Sequence, residues 1–439
     1  MQFSVAPLLM TVLLFCAPLL AQGPDSDADA SLIAKGVAHN RIALGATSAY
    51  TCLETIDRGQ REANARSFQQ LDLVRVEVMK LGNKELFAWP GGSFEDKPLT
   101  QFVAGGLIGD GTFGLFADDV FVNGAATMKF RGNEPLRGRP ALRVDYAVSS
   151  LLGHFTLQTA TGKAEVEYRG TYWLDPATFD LLRMDIFVDD IPSPVQLAKI
   201  SIQIDYETET AGDNRATRTQ HSLMEVVTSS GEIHRDEINF THCRQFAAET
   251  KLMTGNADDS AVKVAQTPRQ PNALPGDLDI RLQLQNPIDV KTASVGDSIM
   301  AIVESDVKDE KRILIPKGAH VSGRIRRLER REGQPGYVLA GLEFSDIAVG
   351  EESWRFIARM QSIDVMDGIT TEHRDRKEAR MVNQPHGVGS GGTIETRISE
   401  SFDNPLAGVG YLYLSADAVS IPAGLRMRWK SESVVSNKK

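Results

Sequence analysis

Eight histidines are the first place to look for chemistry: His39, His154, His221, His234, His242, His320, His373 and His386. None falls in an HExxH stretch or at the close His/carboxylate spacing that builds a metal site, so neither a metal nor a cofactor is expected. His234 with Asp236, and His242 with Cys243, are the couples that could be drawn as acid–base or nucleophilic pairs. Each lies in a run that reads as a strand, where a residue facing water or the core is the plainer account. A serine nucleophile would need the GxSxG turn that lifts its hydroxyl above a sheet, and the sequence has none. Gly109–Gly114, GDGTFG, has the look of a phosphate loop but lacks the following lysine and the βαβ unit that such a loop serves. Asp189-Asp190 and Asp258-Asp259 lack the further oxygen ligands of a calcium loop. Nothing among these residues specifies an enzyme. A hydrolase of envelope glycans or lipids would need carboxylates or a nucleophile converging in a cleft, which only a structure can show.

The elements around these residues are strands. From Ala164 to Thr208 three segments alternate apolar and polar residues with a period of two. Val166 and Tyr168 oppose Glu165 and Glu167; Leu182, Met184, Ile186 and Val188 oppose Arg183 and Asp185; Ile200, Ile202, Ile204 and Tyr206 oppose Ser201, Gln203 and Asp205. This is the pattern of an antiparallel sheet with one dry face, and Asp175-Pro176 supplies a turn between two of its strands. Further strands are expected at Tyr50–Asp57, Gln70–Lys80, Glu85–Trp89, Ala125–Phe130, Pro140–Ser149, Phe155–Thr159, Ala216–Thr228 and Glu232–Phe246. Ser31–Leu44 carries the apolar stripe of a helix. Between Pro90 and Gly124 glycines and aromatics crowd together, which suggests a mobile cover with short helices over the dry face; a loop with its own aromatic cluster is the alternative.

Length and composition set the frame. A chain of 439 residues exceeds one ordinary core, so two domains are expected. A formal charge of -10 argues against a nucleic-acid partner, which would require a surplus of Lys and Arg. The basic cluster Arg324, Arg326, Arg327, Arg330 and Arg331 is interleaved with Glu329 and Glu332 and reads as the solvated end of a hairpin.

Residues 1–21 read MQFSVAPLLMTVLLFCAPLLA, an apolar run before an abrupt polar switch, and are expected to be a signal peptide cleaved after Ala21. Retention of the run as an anchor, or lipidation at Cys16, are the alternatives. Past this segment two cysteines remain, Cys52 and Cys243. In an exported chain two thiols favour a disulfide; buried free thiols are the other possibility.

The division expected is a first domain over 28–253, a linker over 254–277 that is proline-bearing and aperiodic, and a second, barrel-like all-β domain over 278–432. Within the second domain, residues 364–408 are charged and then glycine-rich, and are expected to form a disordered insertion that could dock a partner. The fold class is therefore mainly β: an N-terminal helix and a curved antiparallel sheet forming an incomplete barrel, followed by a small all-β barrel.

One helix followed by a long meander containing Arg169-Gly170-Thr171-Tyr172-Trp173-Leu174-Asp175-Pro176 and its continuation through Leu182–Asp185 resembles the LolA/LolB-like lipoprotein-carrier superfamily. The resemblance implies a helix-covered half-barrel holding acyl chains in an apolar concavity. Burial of methylenes at about 0.8 kcal/mol each would then supply affinity. Phe87, Trp89, Phe113, Phe116 and Phe121 are the candidates for the lining or lid, chosen by local pattern, with plain core packing as the alternative for each. The C-terminal half, through SVGDSIMAIVESDV, ILIPKGAHVSGRI and SIPAGLRMRW, is similar in look to the outer-barrel domain of TrbI-like type IV secretion components. The expected function is a non-enzymatic exported protein of the periplasm or outer-membrane periphery of a Gram-negative-type bacterium. It would bind a lipid or acylated protein in domain one and an envelope protein through domain two. The alternative is an envelope scaffold whose first barrel is filled by its own side chains.

Overall fold

The structure is a computed structural model that describes residues 24–46, 50–82, 84–94, 96–153, 155–211, 214–245, 272–331, 336–350, 352–371, 396–400 and 406–432. The expected signal peptide, most of the expected linker and most of the insertion lie outside the described residues. Of the described residues 58% are in strands and 11% in helices, so the fold is mainly β.

The chain opens with α1 (Pro24–Gly45), which begins before the expected Ser31. Proline is suited to a first helical position, and Asp27 lies in the first turn, where the helix dipole favours negative charge. β1 (Tyr50–Arg61), β2 (Gln69–Leu81) and β3 (Lys84–Ala88) follow, then β4 (Leu107–Gly109) and α2 (Leu115–Phe121). β5 (Ala126–Asn133), β6 (Leu142–Val148), β7 (Phe155–Gln158), β8 (Lys163–Val166), β9 (Tyr168–Leu174) and β10 (Leu181–Val188) come next. Three long strands complete this part: β11 (Leu197–Ala211), β12 (Asn214–Thr228) and β13 (Ile233–Gln245).

Ten of these strands form one curled antiparallel sheet in the order β3-β2-β1-β13-β12-β11-β10-β9-β6-β5. Its alternation is visible in burial: Val74, Val76 and Val78 of β2 point inward while Arg75 and Glu77 lie on the opposite face. β1 and β13 are also joined covalently, since Cys52 and Cys243 form a disulfide. The ladder shifts register there, between Thr51 and Leu53.

The second half is built from β14 (Asn272–Ala273), β15 (Asp279–Leu284), β16 (Ile288–Asp289), β17 (Ser298–Val303), β18 (Val307–Asp309), β19 (Arg312–Ile315), β20 (His320–Arg331) and β21 (Tyr337–Val349). It continues with β22 (Glu352–Arg355), β23 (Ile357–Ile363), β24 (Ile369–Thr370), β25 (Thr396–Glu400), β26 (Val409–Ser415), β27 (Ser420–Ile421) and β28 (Arg426–Glu432). Its main sheet runs β14-β22-β21-β20-β17-β15-β28-β23, with β26 pairing both β21 and β24. The end of the expected linker is drawn into this sheet, because β14 pairs in parallel with Trp354 and Arg355 of β22.

The two halves meet through backbone. Val295 forms an isolated parallel bridge with Val74, and its N–H and C=O bond the Leu73 carbonyl and the Arg75 amide at 2.8 Å each. Gly296 beside it has φ +99°, and a Cβ there would sit 2.3 Å from the Arg75 carbonyl oxygen. Only glycine fits this close approach.

β25 departs from the expected disordered insertion. It leaves the second half and enters a separate four-stranded sheet, β4-β25-β7-β8, that lies with the first half's elements. Its Ile398 is 1% exposed and belongs to the first half's core cluster with Phe116, Tyr168 and Ile186. Five residues with one apolar side chain carry no readable period, so tertiary pairing decides their conformation.

Candidate ligand-binding face

The inner face of the curled sheet carries two apolar clusters, with the buried polar and charged groups Glu54, Arg58, Lys80, Thr219, Ser222 and Asp236 on the same face. Val74, Val76 and Val78 of β2, Ile238 and Phe240 of β13, Ile202 and Ile204 of β11, Ile186 of β10, Tyr172 of β9 and Val144 and Tyr146 of β6 are all buried. Above it lie the Leu99–Phe121 stretch, from the glycine- and aromatic-dense segment read in the sequence as a cover, and the small sheet, to which that segment contributes β4.

The five aromatics singled out from the sequence are distributed between this cover, the sheet edge and the junction of the halves. Phe113, Phe116 and Phe121 belong to the cover and are at most 1% exposed. Phe113 packs on Phe240 with ring centroids 5.4 Å apart, Phe116 on Phe155 at 5.2 Å, and Phe121 on Tyr172 at 4.9 Å. Phe87 ends β3 and faces Phe102 at 6.4 Å. Trp89 packs against Phe102 at 4.8 Å, and Arg326 of the second half stacks over its ring at 5.1 Å. A Cβ on Gly296 would reach within 2.9 Å of the same indole. Trp89 thus sits at the junction, between Phe102 of the cover and Arg326 of the second half.

The basic cluster expected at a solvated hairpin end is also at the junction. Arg324 donates to the carbonyls of Pro90 and Gly296, and Arg326 bonds Glu343 at 2.7 Å. Arg327 is buried and paired with Glu329. The reason is that β20 packs on β2, so Arg324 and Arg326 face the other half, while Arg330 stays exposed as expected.

The cover is pinned by polar groups that reach up from the sheet. Arg58 forms a buried pair with Asp72, at 2.7 and 2.5 Å, and donates to the Gly105 and Ala104 carbonyls. Lys80 holds Asp118 of α2 at 2.7 and 2.8 Å, both side chains being buried. Tyr168 donates to Asp119 at 2.9 Å, and Thr219 to the Thr112 carbonyl at 2.8 Å. The glycine run that looked like a phosphate loop is held by carboxylates of this chain. Gly111 and Gly114 donate their amides to Glu85 at 2.7 and 3.0 Å, and Gly109 donates to Asp236.

Two carboxylates in this region are under strong electrostatic strain. Burial, then the nearby Glu85, Asp110 and Asp236, holds the Glu54 carboxyl well above its usual range. Asp236 is pushed up to about 7 by burial, against the opposing pull of Arg58. One oxygen of each, Oε2 of Glu54 and Oδ2 of Asp236, has no hydrogen-bond partner in the protein. These residues escaped the sequence reading, although a signal was present. Glu54 and Arg58 share the inward parity of Cys52 and Ile56 in β1, and a charge at an inward position is unusual enough to mark a site.

The pairs considered as catalytic come apart. Cys243 is bonded to Cys52, so it is no thiolate beside His242. His234 faces Glu232 at 3.6 Å, while Asp236 is buried against Arg58 and Gly109. Among the described residues no group of three or more His, Cys, Asp or Glu side chains has the arrangement to hold a metal ion. Two clefts lie away from the cover. One of about 410 Å³ lies between the halves, lined by Asp72, Glu329, Val290 and Ala418 among others. One of about 500 Å³ opens on the outer face, lined by Arg131, Arg143, Asp145, Arg169 and Phe187 among others.

These features define a β-rich chain with a curled half-barrel whose concave face is closed by a separately built cover. No family model matches the sequence, and no curated protein matches it. Among solved structures, the chain is similar to a putative outer membrane lipoprotein-sorting protein domain from Vibrio parahaemolyticus, at 9% identity and a TM-score of 0.29 over 52% of this chain and 95% of that one. It is similar to a DUF1329 family protein from Desulfovibrio piger at 11% identity and a TM-score of 0.26, over 48% of this chain and 91% of that one. The Pseudomonas aeruginosa MucA/MucB complex gives 14% identity and a TM-score of 0.17, over 73% of this chain and 90% of that one. At these scores the likenesses carry no argument about function.

Proposed function

We propose that this chain is a non-enzymatic exported protein of the cell envelope that receives an acyl chain, from a lipid or a lipidated protein, on the concave face beneath the Leu99–Phe121 cover. In this reading residues 28–253 are the receptor domain and 254–277 a linker. Residues 278–432, similar in look to the TrbI-like outer-barrel domain, are the domain that meets an envelope protein. The observation that carries the proposal is how the cover is attached. Its strands form their own four-stranded sheet, which shares no strand with the ten-stranded half-barrel. The cover is held by side-chain packing and by clamps such as Lys80–Asp118 and Arg58–Gly105, so opening it would break no strand pairing of the main sheet. An acyl chain entering in its place would gain about 0.8 kcal/mol per buried methylene against an apolar face already shaped for it. The Cys52–Cys243 disulfide fits an oxidising, extracytoplasmic compartment. Phe87, Phe113, Phe116 and Phe121 are the proposed lining or lid, with Trp89 bracing the cover's edge.

A second reading, an envelope scaffold without a lipid ligand, is favoured by the near-complete burial of Phe113, Phe116 and Phe121. The two separate in one experiment. The chain beginning at Gln22 is purified from an envelope fraction, and co-purifying lipid is identified by native and denaturing mass spectrometry. Stoichiometric acyl-chain ligand, lost in a folded Phe113→Glu variant, supports the carrier. A chain that carries no lipid and takes up no fluorescent fatty acid leaves the scaffold.

A further inference from the structure

The small sheet contains a strand that comes from far along the chain, and its placement points to a binding site for peptide. β25 lies between β4 and β7 and is bonded on both sides. It runs antiparallel to β4, with Ile398 opposite Gly109 and Ser399 opposite Ile108, and parallel to β7, with Ile398 opposite Leu157. Among the described residues β4 has no other strand partner, and β7 has only β8. Removing β25 would therefore open a slot one strand wide, flanked by two rows of backbone donors and acceptors, which is the template that strand addition requires. The slot also has a specificity pocket. Ile398 enters the core cluster that contains Phe116, Phe155, Leu157 and Tyr168 and is 1% exposed.

We infer that the slot between β4 and β7 is a strand-acceptor site for extended peptide segments of a partner protein. Such a segment would carry one β-branched apolar residue flanked on each side by polar residues, and in this structure the chain's own Thr396–Glu400 occupies the site. The sequence TRISE defines the ligand class: the backbone supplies most of the bonding and a single isoleucine supplies the anchor. The strand belongs to the same chain as the slot, so an incoming segment must compete with it. The inference rests on strand pairing alone and does not depend on acyl-chain binding.

The test uses the full chain with Thr396–Glu400 replaced by five Gly and Ser residues, and a fluorescent peptide carrying TRISE between short Gly-Ser flanks. Anisotropy should show saturable binding at least about tenfold tighter than to the unaltered chain, because the tethered competitor is gone. A peptide with aspartate in place of the isoleucine should not bind. Equal binding of both peptides, or of neither, to a folded variant that retains its disulfide overturns the inference. Where that variant does not fold, the unaltered chain decides. Excess peptide with glutamine in place of the arginine, which trypsin does not cut, should accelerate tryptic cleavage after Arg397 by displacing the strand, and an unchanged cleavage rate refutes the exchange.

Discussion

Replacing Asp236 with asparagine is expected to flatten part of the pH dependence of folding stability. Asp236 is 1% exposed, on the inner face of β13, where it accepts the Gly109 amide and lies near Arg58. Burial lifts its carboxyl from 3.8 to about 7. Between those two pH values the unfolded chain has released this proton and the native chain still holds it. Stability therefore falls as pH rises, by about 1.4 kcal/mol per pH unit for this one group. The full difference is roughly 4 kcal/mol, reached above the native pKa. Asparagine keeps a carbonyl oxygen to accept from Gly109 and removes the titration. The assay is guanidinium unfolding followed by tryptophan fluorescence at pH 4.5, 6 and 8, for both proteins. The stability of Asp236→Asn minus that of the unaltered chain should become more positive from pH 4.5 to pH 8. A difference that stays constant with pH would refute the argument, because it would mean that Asp236 is ionised throughout and stabilised by Arg58. Glu54, also held above its ordinary range, acts in the same direction and cancels in the comparison except for the part of its shift that Asp236 causes.

Other perturbations test the clamps and the junction. Lys80→Met should cost about 3–5 kcal/mol by leaving Asp118 charged and buried, and Lys80→Met with Asp118→Leu should recover most of that loss in the same unfolding assay. Replacing both Cys52 and Cys243 with alanine removes a bridge spanning 191 residues and should lower stability by about 5 kcal/mol on the chain-entropy account. A denaturation midpoint unmoved by the double replacement would show that the register of β1 and β13 is held by the ladder alone. Gly296→Ala forces a Cβ to within 2.3 Å of the Arg75 carbonyl and against Trp89, and should loosen the junction. The expected readout is a red-shifted tryptophan emission and faster proteolysis between the halves, with secondary structure by circular dichroism unchanged.

Much of the half-barrel was legible because burial on one face of a strand forces a period of two. β2 shows it in Val74, Val76 and Val78, and the β10–β11 pair shows it in Ile186 and Ile202, which face each other across the ladder. The disulfide was legible for an arithmetical reason: only Cys52 and Cys243 follow the apolar leader. The segment around Phe113 announced itself by glycine and aromatic density, although the attachment of its short strand β4 did not. What stayed hidden depends on partners distant in sequence. Trp89 ends a short strand and gave no sign that Arg326 and Gly296 would meet it. The Arg324–Arg331 run read as solvated because its alternating acids mimic a surface, whereas packing on β2 makes it an interface.

The same physics explains why Thr396–Glu400 was read as part of a structureless stretch and yet is the most informative strand for function. A segment that folds only by joining two foreign edges needs little of its own sequence to encode the strand, because the flanking backbone supplies the hydrogen bonds. It needs one side chain that fits the receiving core, and Ile398 is that side chain. A strand encoded so weakly is also held weakly in its own right, with most of its stability borrowed from β4 and β7. Those two strands belong to the cover, so the occupant of the slot and the position of the cover are coupled by construction. A ligand that lifts the cover would strain the slot, and a peptide that takes the slot would hold the cover as Thr396–Glu400 does now. In the chain whose Thr396–Glu400 has been replaced by Gly and Ser, loss of acyl-chain binding on adding the TRISE peptide in excess, with the peptide's own binding weakened by fatty acid, would be the reciprocal signature of that coupling.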